Sequence, residues 1–501
     1  MIRTTFHRAQ NFIAAGVLLA LLLISCAATT PPPPDPAAVL QKTYEPGVLR
    51  GDLEYLWETL NEVHPDLYAL TDREQLVRQY RQIDSSLTRP LTRVEFYLKI
   101  APLISNIKDG HTYLSLPFHP DILAEMPSVL FPLDLAFIQE KTYILRDYTT
   151  TDSALVGAEL LAINGEPIDR IIGDFSTFLQ GETTSFIKKS LESDLFKIMY
   201  WMFYPEESLW WITYRTPDGR EATEPISGIT GNELVRLRTA LGEMSRIAYA
   251  LHILPEQQTA IMTVHTFRGP ELKAFYRKAF RKIRRARVQH LIIDLRDNLG
   301  GNTANADELL SYLTETPLHP ISVVRMKVSS QLKQYNRRYL SDIFLWARLY
   351  LFNTRFHQIF THQNGTLVDI NVNDAIQPKR KRLRFDGDVY VMTNGHSFSA
   401  GAYFPTFVKH YNLGCVVGSE TGGLSGGSFG ERISVALPTT NISLGISTII
   451  LKTKPLNQFS KHGVIPDFSI RRDISKEIHG VDSQLEQTLQ IIGSHNITKG
   501  E

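Results

Sequence analysis

The chain has few cysteines, almost no net charge and none of the common metal-binding motifs. Only Cys26 and Cys415 occur among its 501 residues, and 53 basic residues nearly balance 52 acidic ones. A net charge of +1 gives no field that would attract the whole protein to nucleic acid, so no nucleic-acid partner is expected. The 15 histidines form no His-Glu-x-x-His motif and no Cys-His cluster. We therefore predict no metal site and no cofactor.

Long hydrophobic runs are absent too, with one exception near the N-terminus. Arg3, His7 and Arg8 precede an apolar run over residues 12–24, whose 13 residues fall short of the roughly 20 that a spanning helix needs. This pattern predicts a signal peptide over residues 1–25 and a mature protein without a membrane-spanning helix. The segment Leu23-Ile24-Ser25-Cys26 resembles a bacterial lipobox. It predicts a lipid on Cys26, and a plain secretory signal is the alternative.

A lipidated Cys26 would attach the protein to a membrane and leave Cys415 as a free thiol, so an internal disulfide is excluded. Cys415 lies in an apolar run and is expected in the core. No acidic residue follows Cys26 directly, which indicates an outer-membrane lipoprotein of the cell envelope that faces the periplasm.

The length and pattern of the chain predict several domains. A single core stops growing at about 250–300 residues, and 43% apolar with 21% charged residues is typical of a globular protein. Residues 26–44 are proline-rich and predict a tether. Residues 45–125 show helical periodicity, with Asp52 as a helix N-cap and capping boxes that begin at Thr71 and Thr92, so we expect a helical cap domain.

The pattern then changes to short alternating runs over residues 126–235, which predict a small β module. Within it, residues 157–165 resemble the part of PDZ domains where a strand enters a hairpin; PDZ modules bind peptide C-termini by adding a strand. Residues 236–475 alternate apolar strands with helices and predict an α/β layered core, followed by a tail over 476–501. Two basic runs, 277–287 and 379–384, are interpreted as solvated faces because no pattern of stacking aromatics accompanies them.

Three segments of the predicted core each place a strand before a turn of glycine or small residues: 292–301, 393–401 and 417–423. Such turns let backbone amides face a cavity, as acyl transfer requires for an oxyanion. Ser399 would begin a helix that runs to about Tyr411, where free amides and the positive end of the helix dipole favour an anionic intermediate. Ser399 is therefore the candidate nucleophile.

Together these segments resemble the tail-specific (C-terminal processing) serine peptidases, whose crotonase-like core also occurs in tricorn protease and interphotoreceptor retinoid-binding protein. Residues 294–301 are similar to the family's Asp-Leu-Arg-x-Asn-x-Gly-Gly turn, and Ser399-Ala400 to its nucleophile step. The resemblance implies an α/β fold, with a crotonase-like layered core after a helical cap and a PDZ-like β module. It also implies oxyanion amides from Ala400 and from Leu299 or Gly300, and a polypeptide substrate.

The candidate general base is chosen from a difference between this chain and the family's Ser-Lys branch. The Ser-Lys branch has a lysine where this chain has Leu424, so a Ser-Lys dyad is not expected. The tricorn-like branch uses a cap histidine, and residues 108–112 around His111 resemble that element. A neutral imidazole with a pKa near about 6.5 suits a general base. The glutamate that this branch places before a late Gly-Val-x-Pro-Asp stretch is Ser460 here, and Glu420 is the expected substitute that orients His111.

Two other candidates are rejected, and two other functions stay open. Ser425 lies in a Gly-x-Ser-x-Gly pattern that lacks the required following helix, and His396 is too close to Ser399 on a tight turn. An inactive relative that binds a peptide or an apolar ligand is one alternative, and an esterase with the same acyl-transfer site is another. The sequence predicts no oligomeric state.

Overall fold

The computed structural model describes residues 40–118, 129–150, 153–241, 247–337, 343–370, 375–454 and 459–498. The chain divides into a unit over Met1–Lys42 and a second, compact unit over Thr43–Glu501, and the elements below belong to the second. The predicted signal peptide, Cys26 and most of the predicted tether lie outside the described residues. Among the described residues, none of the helices combines the length and the apolar character needed to cross a membrane.

The N-terminal part is helical. Its helices are α1 (Pro46–Val63), α2 (Arg73–Ser86) and α3 (Arg93–Ser105), and its short strands are β1 (Thr43–Tyr44), β2 (Leu91–Thr92) and β3 (Tyr113–Leu114). Strand β3 pairs with a long strand of the C-terminal half, at Leu444 and Gly445. This pairing fixes the segment just before β3, which contains His111, against that half of the molecule.

Two local predictions for these helices need correction. Helix α1 begins at Pro46 and not after Asp52. The buried carboxylate of Asp52 does not cap a helix but accepts hydrogen bonds from the amides of Thr439 and Thr440. Helix α2 is capped by Asp72, whose side chain accepts from two amides, while the Thr71 hydroxyl donates to the carbonyl of Asn106. The capping box at Thr92 is confirmed.

An antiparallel sheet and four helices follow. The sheet has the order β10-β9-β7-β6-β5, and β8 pairs with β7. Its strands are β5 (Leu133–Ile138), β6 (Lys141–Asp147), β7 (Glu159–Ile163), β8 (Glu166–Pro167), β9 (Leu209–Arg215) and β10 (Glu221–Ser227). The helices are α4 (Ile168–Ser176), α5 (Thr184–Leu191), α6 (Asp194–Phe203) and α7 (Gly231–Ala240), and β4 (Val129–Leu130) pairs with β11 (Ile229–Thr230).

The C-terminal half is built on a six-stranded sheet of order β12-β13-β14-β17-β18-β21. All neighbours are parallel except β12 and β13. The strands are β12 (Tyr249–Leu254), β13 (Thr259–Val264), β14 (His290–Asp294), β17 (Asp388–Thr393), β18 (Cys415–Gly418) and β21 (Phe468–Ser469). Every residue of β14 is buried, as expected for a central parallel strand covered on both faces.

Helices cover this sheet on both faces. Helices α8 (Leu272–Arg285), α9 (Thr303–Leu310) and α13 (Ala400–His410) lie on one side, where their apolar residues join Leu291 and Ile293 in one core. Helix α15 (Ser483–Thr498) lies on the other side and packs with Ile292. Alternate residues of β14 therefore face different layers. Short helices α14 (Ile474–Glu477), Pro255–Gln257 and Lys381–Leu383 complete this region.

A second antiparallel sheet has the order β16-β15-β20-β19, and β3 adds to β20. Its strands are β15 (Ile321–Lys327), β16 (Leu367–Ile370), β19 (Gly427–Ala436) and β20 (Ser443–Thr453). Helices α10 (Ser330–Arg337), α11 (Ile343–Phe352) and α12 (Thr354–Thr361) connect β15 to β16. The structure is thus a mixed α/β fold with helices and several sheets.

Candidate active site

The first part of the site is the turn that follows β14. The side chain of Asn298 is fully buried; its Oδ1 accepts a hydrogen bond from the Gly300 amide at 2.8 Å, and its Nδ2 donates to the Val264 carbonyl at 2.7 Å. Gly300 has a φ of 94°, a conformation that disfavours any residue with a Cβ. Asn298 therefore holds the turn in one shape.

The second part is the turn between β17 and α13, which carries Ser399. This serine has φ 54° and ψ −121°, a strained conformation for a residue other than glycine. It immediately precedes α13, where amides at the helix start have no partner inside the helix. Gly401 lies so close to the carbonyl of Asn298 that a Cβ there would approach the oxygen to 2.2 Å. The two turns are therefore in direct contact.

Backbone amides of both turns lie next to Ser399. A Cβ on Gly300 would lie 2.7 Å from the Ser399 Cβ and 2.9 Å from the Ala400 nitrogen. Because the Gly300 amide already donates to Asn298, it is not free to bind an oxyanion. The amides of Leu299 and Ala400 donate no hydrogen bond to an atom of the described residues. Of the two alternatives, Leu299 is therefore the free donor.

The third part is the loop between α3 and β3, which carries His111. Asp109 is fully buried and stabilises this loop. Its carboxylate accepts hydrogen bonds from the His111 amide at 2.8 Å and from the Thr112 hydroxyl at 2.6 Å. The same carboxylate accepts from the Ser447 hydroxyl of β20 at 2.6 Å. The Nε2 of the buried His64 lies 3.2 Å from it. Asp109 thus fixes the His111 loop against the C-terminal half.

The imidazole of His111 lies between two carboxylates and the residue before Ser399. Its Nδ1 is 3.6 Å from Asp109 Oδ1 and 3.7 Å from Glu182 Oε1. Its ring centroid is 4.7 Å from that of Phe398. His111 Nδ1 and Glu182 Oε1 are both buried, and neither has a hydrogen-bond partner among the described residues. A small approach of these two atoms would form a buried hydrogen bond.

The charges around His111 change its pKa. Burial lowers the pKa of His111, but Asp109 and Glu182 outweigh this effect and raise it to about 9. Burial likewise favours the neutral form of Asp109, but its bonds to His111 and His64 hold its pKa well below the ordinary value. Burial raises the pKa of Glu182, which His111 offsets only in part. The imidazole therefore has a strong tendency to hold a proton.

Glu182 was not expected from the sequence, and the structure places it at the site through a long-range contact. It precedes α5, and its Oε2 accepts from the Leu424 amide at 2.9 Å. The Thr183 hydroxyl donates to the Gly422 carbonyl at 3.2 Å. The backbone of Leu424 thus holds a carboxylate beside His111. In the sequence, the pattern of a helix start is the only signal near Glu182, and it does not indicate a place in the active site.

The structure places Glu420, the residue expected to orient His111, in a different role. Its Oε1 accepts from the Gly463 amide at 2.8 Å, and no ion pair in the described part of the chain joins it to His111. That carboxylate holds the 463 segment against the turn after β18, and the carboxylates beside the imidazole are those of Asp109 and Glu182.

The same three side chains could also hold a metal ion. Asp109, His111 and Glu182 offer ligand atoms within 4.8 Å of one another, and two carboxylates with one imidazole suit a divalent transition metal. The sequence motifs predicted no such site, so this cluster needs a direct test.

The rejected serine and histidine lie outside this constellation. Ser425 is half-buried and contacts the His462 carbonyl at 3.4 Å. The Nε2 of His396 lies 3.1 Å from the Ser190 hydroxyl. The hydroxyl of Ser397 is buried and donates to the Leu295 carbonyl at 2.8 Å, which closes the Ser399 turn. A cavity of about 810 Å³ on the described part of the chain is lined by neither Ser399 nor His111.

A known family model matches part of the chain. Residues 258–470 match the model of peptidase family S41. The matched region contains Ser399 and both of its turns, whereas His111 and Glu182 lie before it. This match supports a peptidase, and therefore a hydrolase. No curated protein matches the chain.

Two solved structures of CPAF show the same fold at low identity. Mature CPAF is 15% identical with a TM-score of 0.60, over 88% of this chain and 96% of CPAF. A CPAF mutant is 16% identical with a TM-score of 0.63, over 88% and 98%. The photosystem II D1 C-terminal processing protease is 14% identical with a TM-score of 0.41, over 89% and 97%.

Proposed function

We propose that the chain is a serine peptidase that cleaves polypeptides through an acyl-enzyme at Ser399, with His111 as general base. The observation that carries this proposal is the strained Ser399 at a helix start, with two free amides beside it. The residue before it, Phe398, packs its ring on the imidazole of His111, which is flanked by carboxylates. Acyl transfer needs a nucleophile, a base and oxyanion donors in one place. A protein that only binds peptides needs none of this arrangement.

The proposed base acts through Nε2. Because Asp109 and Glu182 both face Nδ1, a proton on Nδ1 would be stabilised by them, and Nε2 would be left to accept the Ser399 proton. We assign the orienting role to Glu182 with Asp109, in place of Glu420. This arrangement is a tricorn-like variant in which the carboxylate comes from the segment before α5.

The reaction then proceeds in two halves. Ser399 Oγ attacks the scissile carbonyl carbon and gives its proton to His111 Nε2, while the amides of Ala400 and Leu299 bind the oxyanion. His111 passes that proton to the leaving amine, the C–N bond breaks, and an ester to Ser399 remains. A water attacks this ester, His111 takes the water proton and returns it to Ser399 Oγ, and the acid product leaves.

The raised pKa of His111 affects the rate. At pH 7 a group with a pKa near 9 is only about 1% neutral, and only the neutral imidazole can accept the serine proton. The two carboxylates also stabilise the imidazolium that forms in the transition state. The same charges therefore reduce the fraction of active, neutral imidazole at neutral pH and favour the charged intermediate once the reaction has begun. The activity of this site should therefore increase into the alkaline range.

The larger assignments follow as parts of the same proposal. We take the parallel sheet with its helices as a crotonase-like core, α1–α3 as a cap that delivers His111, and the sheet β5–β10 as a PDZ-like module for the polypeptide. We also propose a lipid on Cys26 and a location at the outer membrane, facing the periplasm.

The test of the function is hydrolysis of an unstructured protein by three forms of the full chain. The wild type and Ser425→Ala should cleave it, and Ser399→Ala should not, because losing a nucleophile costs many powers of ten in rate. Ser425→Ala is a better control than Ser397→Ala, since the Ser397 hydroxyl holds the Ser399 turn. Cleavage by Ser399→Ala would contradict the proposal.

A further inference from the structure

The two basic runs of the sequence meet on one surface of the folded protein. Extended to the start of α8, the first run covers residues 272–287, and with residues 379–384 it holds thirteen of the 53 lysines and arginines and no acidic residue. The Arg284 guanidinium donates to the Arg382 carbonyl. Both runs line one cavity of about 570 Å³, which includes Arg287 and Lys381. The remaining chain is therefore net acidic, and the balanced overall charge conceals a strongly basic face.

Most charges of this basic face are exposed and unneutralised. Eleven of the thirteen side chains are exposed, and none of these eleven forms an ion pair within the described part of the chain. They are Lys273, Arg277, Lys278, Arg281, Lys282, Arg284, Arg285, Arg287, Arg380, Lys381 and Arg382. Lys379 and Arg384 pair with Glu308 and Glu315. Asp386 is the one acidic residue among the cavity's described lining.

The basic face lies at the opposite end of the parallel sheet from Ser399. Its cavity is lined by Gln289 and Gly387, which immediately precede β14 and β17, whereas the site turns follow the same strands. Strand β14 has five residues and β17 has six. At about 3.3 Å per residue, the two ends of these strands are about 15–20 Å apart. A ligand on the basic face would therefore leave the proposed active site open.

We propose that the basic face docks on an anionic phospholipid membrane. Lysines and arginines held near such a surface each contribute to binding, and the predicted lipid on Cys26 would keep the protein beside one. The aromatic residues of α8 do not favour single-stranded nucleic acid, because Tyr276 and Phe280 are buried and Phe275 packs on Tyr249. Docking in this orientation points the Ser399 end of the sheet away from the lipid, toward soluble polypeptides. The inference does not depend on the proposed peptidase activity.

The experiment measures vesicle binding of the full chain carrying Cys26→Ser, which removes the lipid attachment. Cosedimentation is compared between phosphatidylcholine vesicles and vesicles that also contain phosphatidylglycerol. The triple variant Lys278→Gln, Lys282→Gln and Lys381→Gln should bind the anionic vesicles about 100-fold more weakly, since each charge contributes about fivefold. The control Arg73→Gln, Arg81→Gln and Arg236→Gln changes the net charge equally, on exposed residues elsewhere, and should bind as before.

The proposal would be overturned if the protein bound both kinds of vesicle equally, or if the control variant lost as much binding as the triple variant. It would also be overturned if the wild-type protein bound RNA but no vesicles, and the triple variant lost that RNA binding. Fluorophosphonate labelling of both variants reports separately on the fold and on the proposed peptidase site. Salt at 0.5 M, an ionic strength with a Debye length of about 4 Å, should abolish the difference between the two vesicle types.

Discussion

Glu182→Gln removes a negative charge that lies 3.7 Å from Nδ1 of His111 while it keeps the shape of the side chain. Two unit charges at about 4 Å interact by about 4 kcal/mol at an effective dielectric constant near 20, equivalent to about 3 pKa units. Asp109 remains beside Nδ1 in this variant and keeps part of the shift. The pKa of His111 should therefore fall by at least about 1 unit from its value of about 9.

The assay is the pH dependence of kcat/KM, which reports the free enzyme's essential groups. The wild type should gain activity as the pH rises through about 9. In Glu182→Gln the rise should occur at least about 1 pH unit lower, and kcat at the optimum should drop by about 10-fold or more because the imidazole is less well oriented.

Glu420→Gln is the matched control, because the same chemical change is made at a carboxylate bonded to the Gly463 amide. Its pH profile should coincide with that of the wild type. An unshifted profile in Glu182→Gln, or a shifted one in Glu420→Gln, would refute the assignment of the orienting carboxylate.

Stability gives an independent readout of the same pKa. The folded-state pKa of His111 is raised above its ordinary value of about 6.5. Its contribution to the free energy of unfolding is therefore complete below about pH 6.5 and is lost as the pH rises through about 9. This loss should be smaller in Glu182→Gln, as measured by denaturant unfolding at both ends of that range.

Three further predictions concern the base, the metal and the anchor. His111→Ala should lower turnover by several powers of ten without loss of fold, measured by peptide hydrolysis and circular dichroism; a near-normal rate would exclude His111 as the base. Chelation with EDTA should leave hydrolysis unchanged, and a loss that Zn²⁺ restores would show that Asp109, His111 and Glu182 hold a required metal. Mass spectrometry of the mature N-terminus should find an acylated Cys26, whereas cleavage beyond Cys26 would exclude the anchor.

The sequence predicted features that depend on local pattern. The helix start next to Ser399 and the glycine turn after β14 are each set by a few consecutive residues, and the structure has both. The capping box at Thr92 is local in the same way. The burial of β14 on both faces could be predicted from its apolar run, because central parallel strands are covered on both sides.

Other features depend on contacts between distant segments. Asp52 looked like an N-cap because short polar side chains favour helix starts, but its partners are amides 387 and 388 positions away. Glu182 meets the Leu424 amide across 242 positions, and no local pattern of residues encodes that meeting. The convergence of the two basic runs is likewise a consequence of packing.

Mapping of a fluorophosphonate adduct shows whether Ser399 is the nucleophile. The reagent phosphonylates an activated serine hydroxyl, so peptide mass spectrometry of the labelled wild-type chain locates the reactive group. We expect one adduct, on Ser399, that is lost in Ser399→Ala and strongly reduced in His111→Ala. An adduct on Ser425, or no adduct in a chain that still binds peptides tightly, would contradict it.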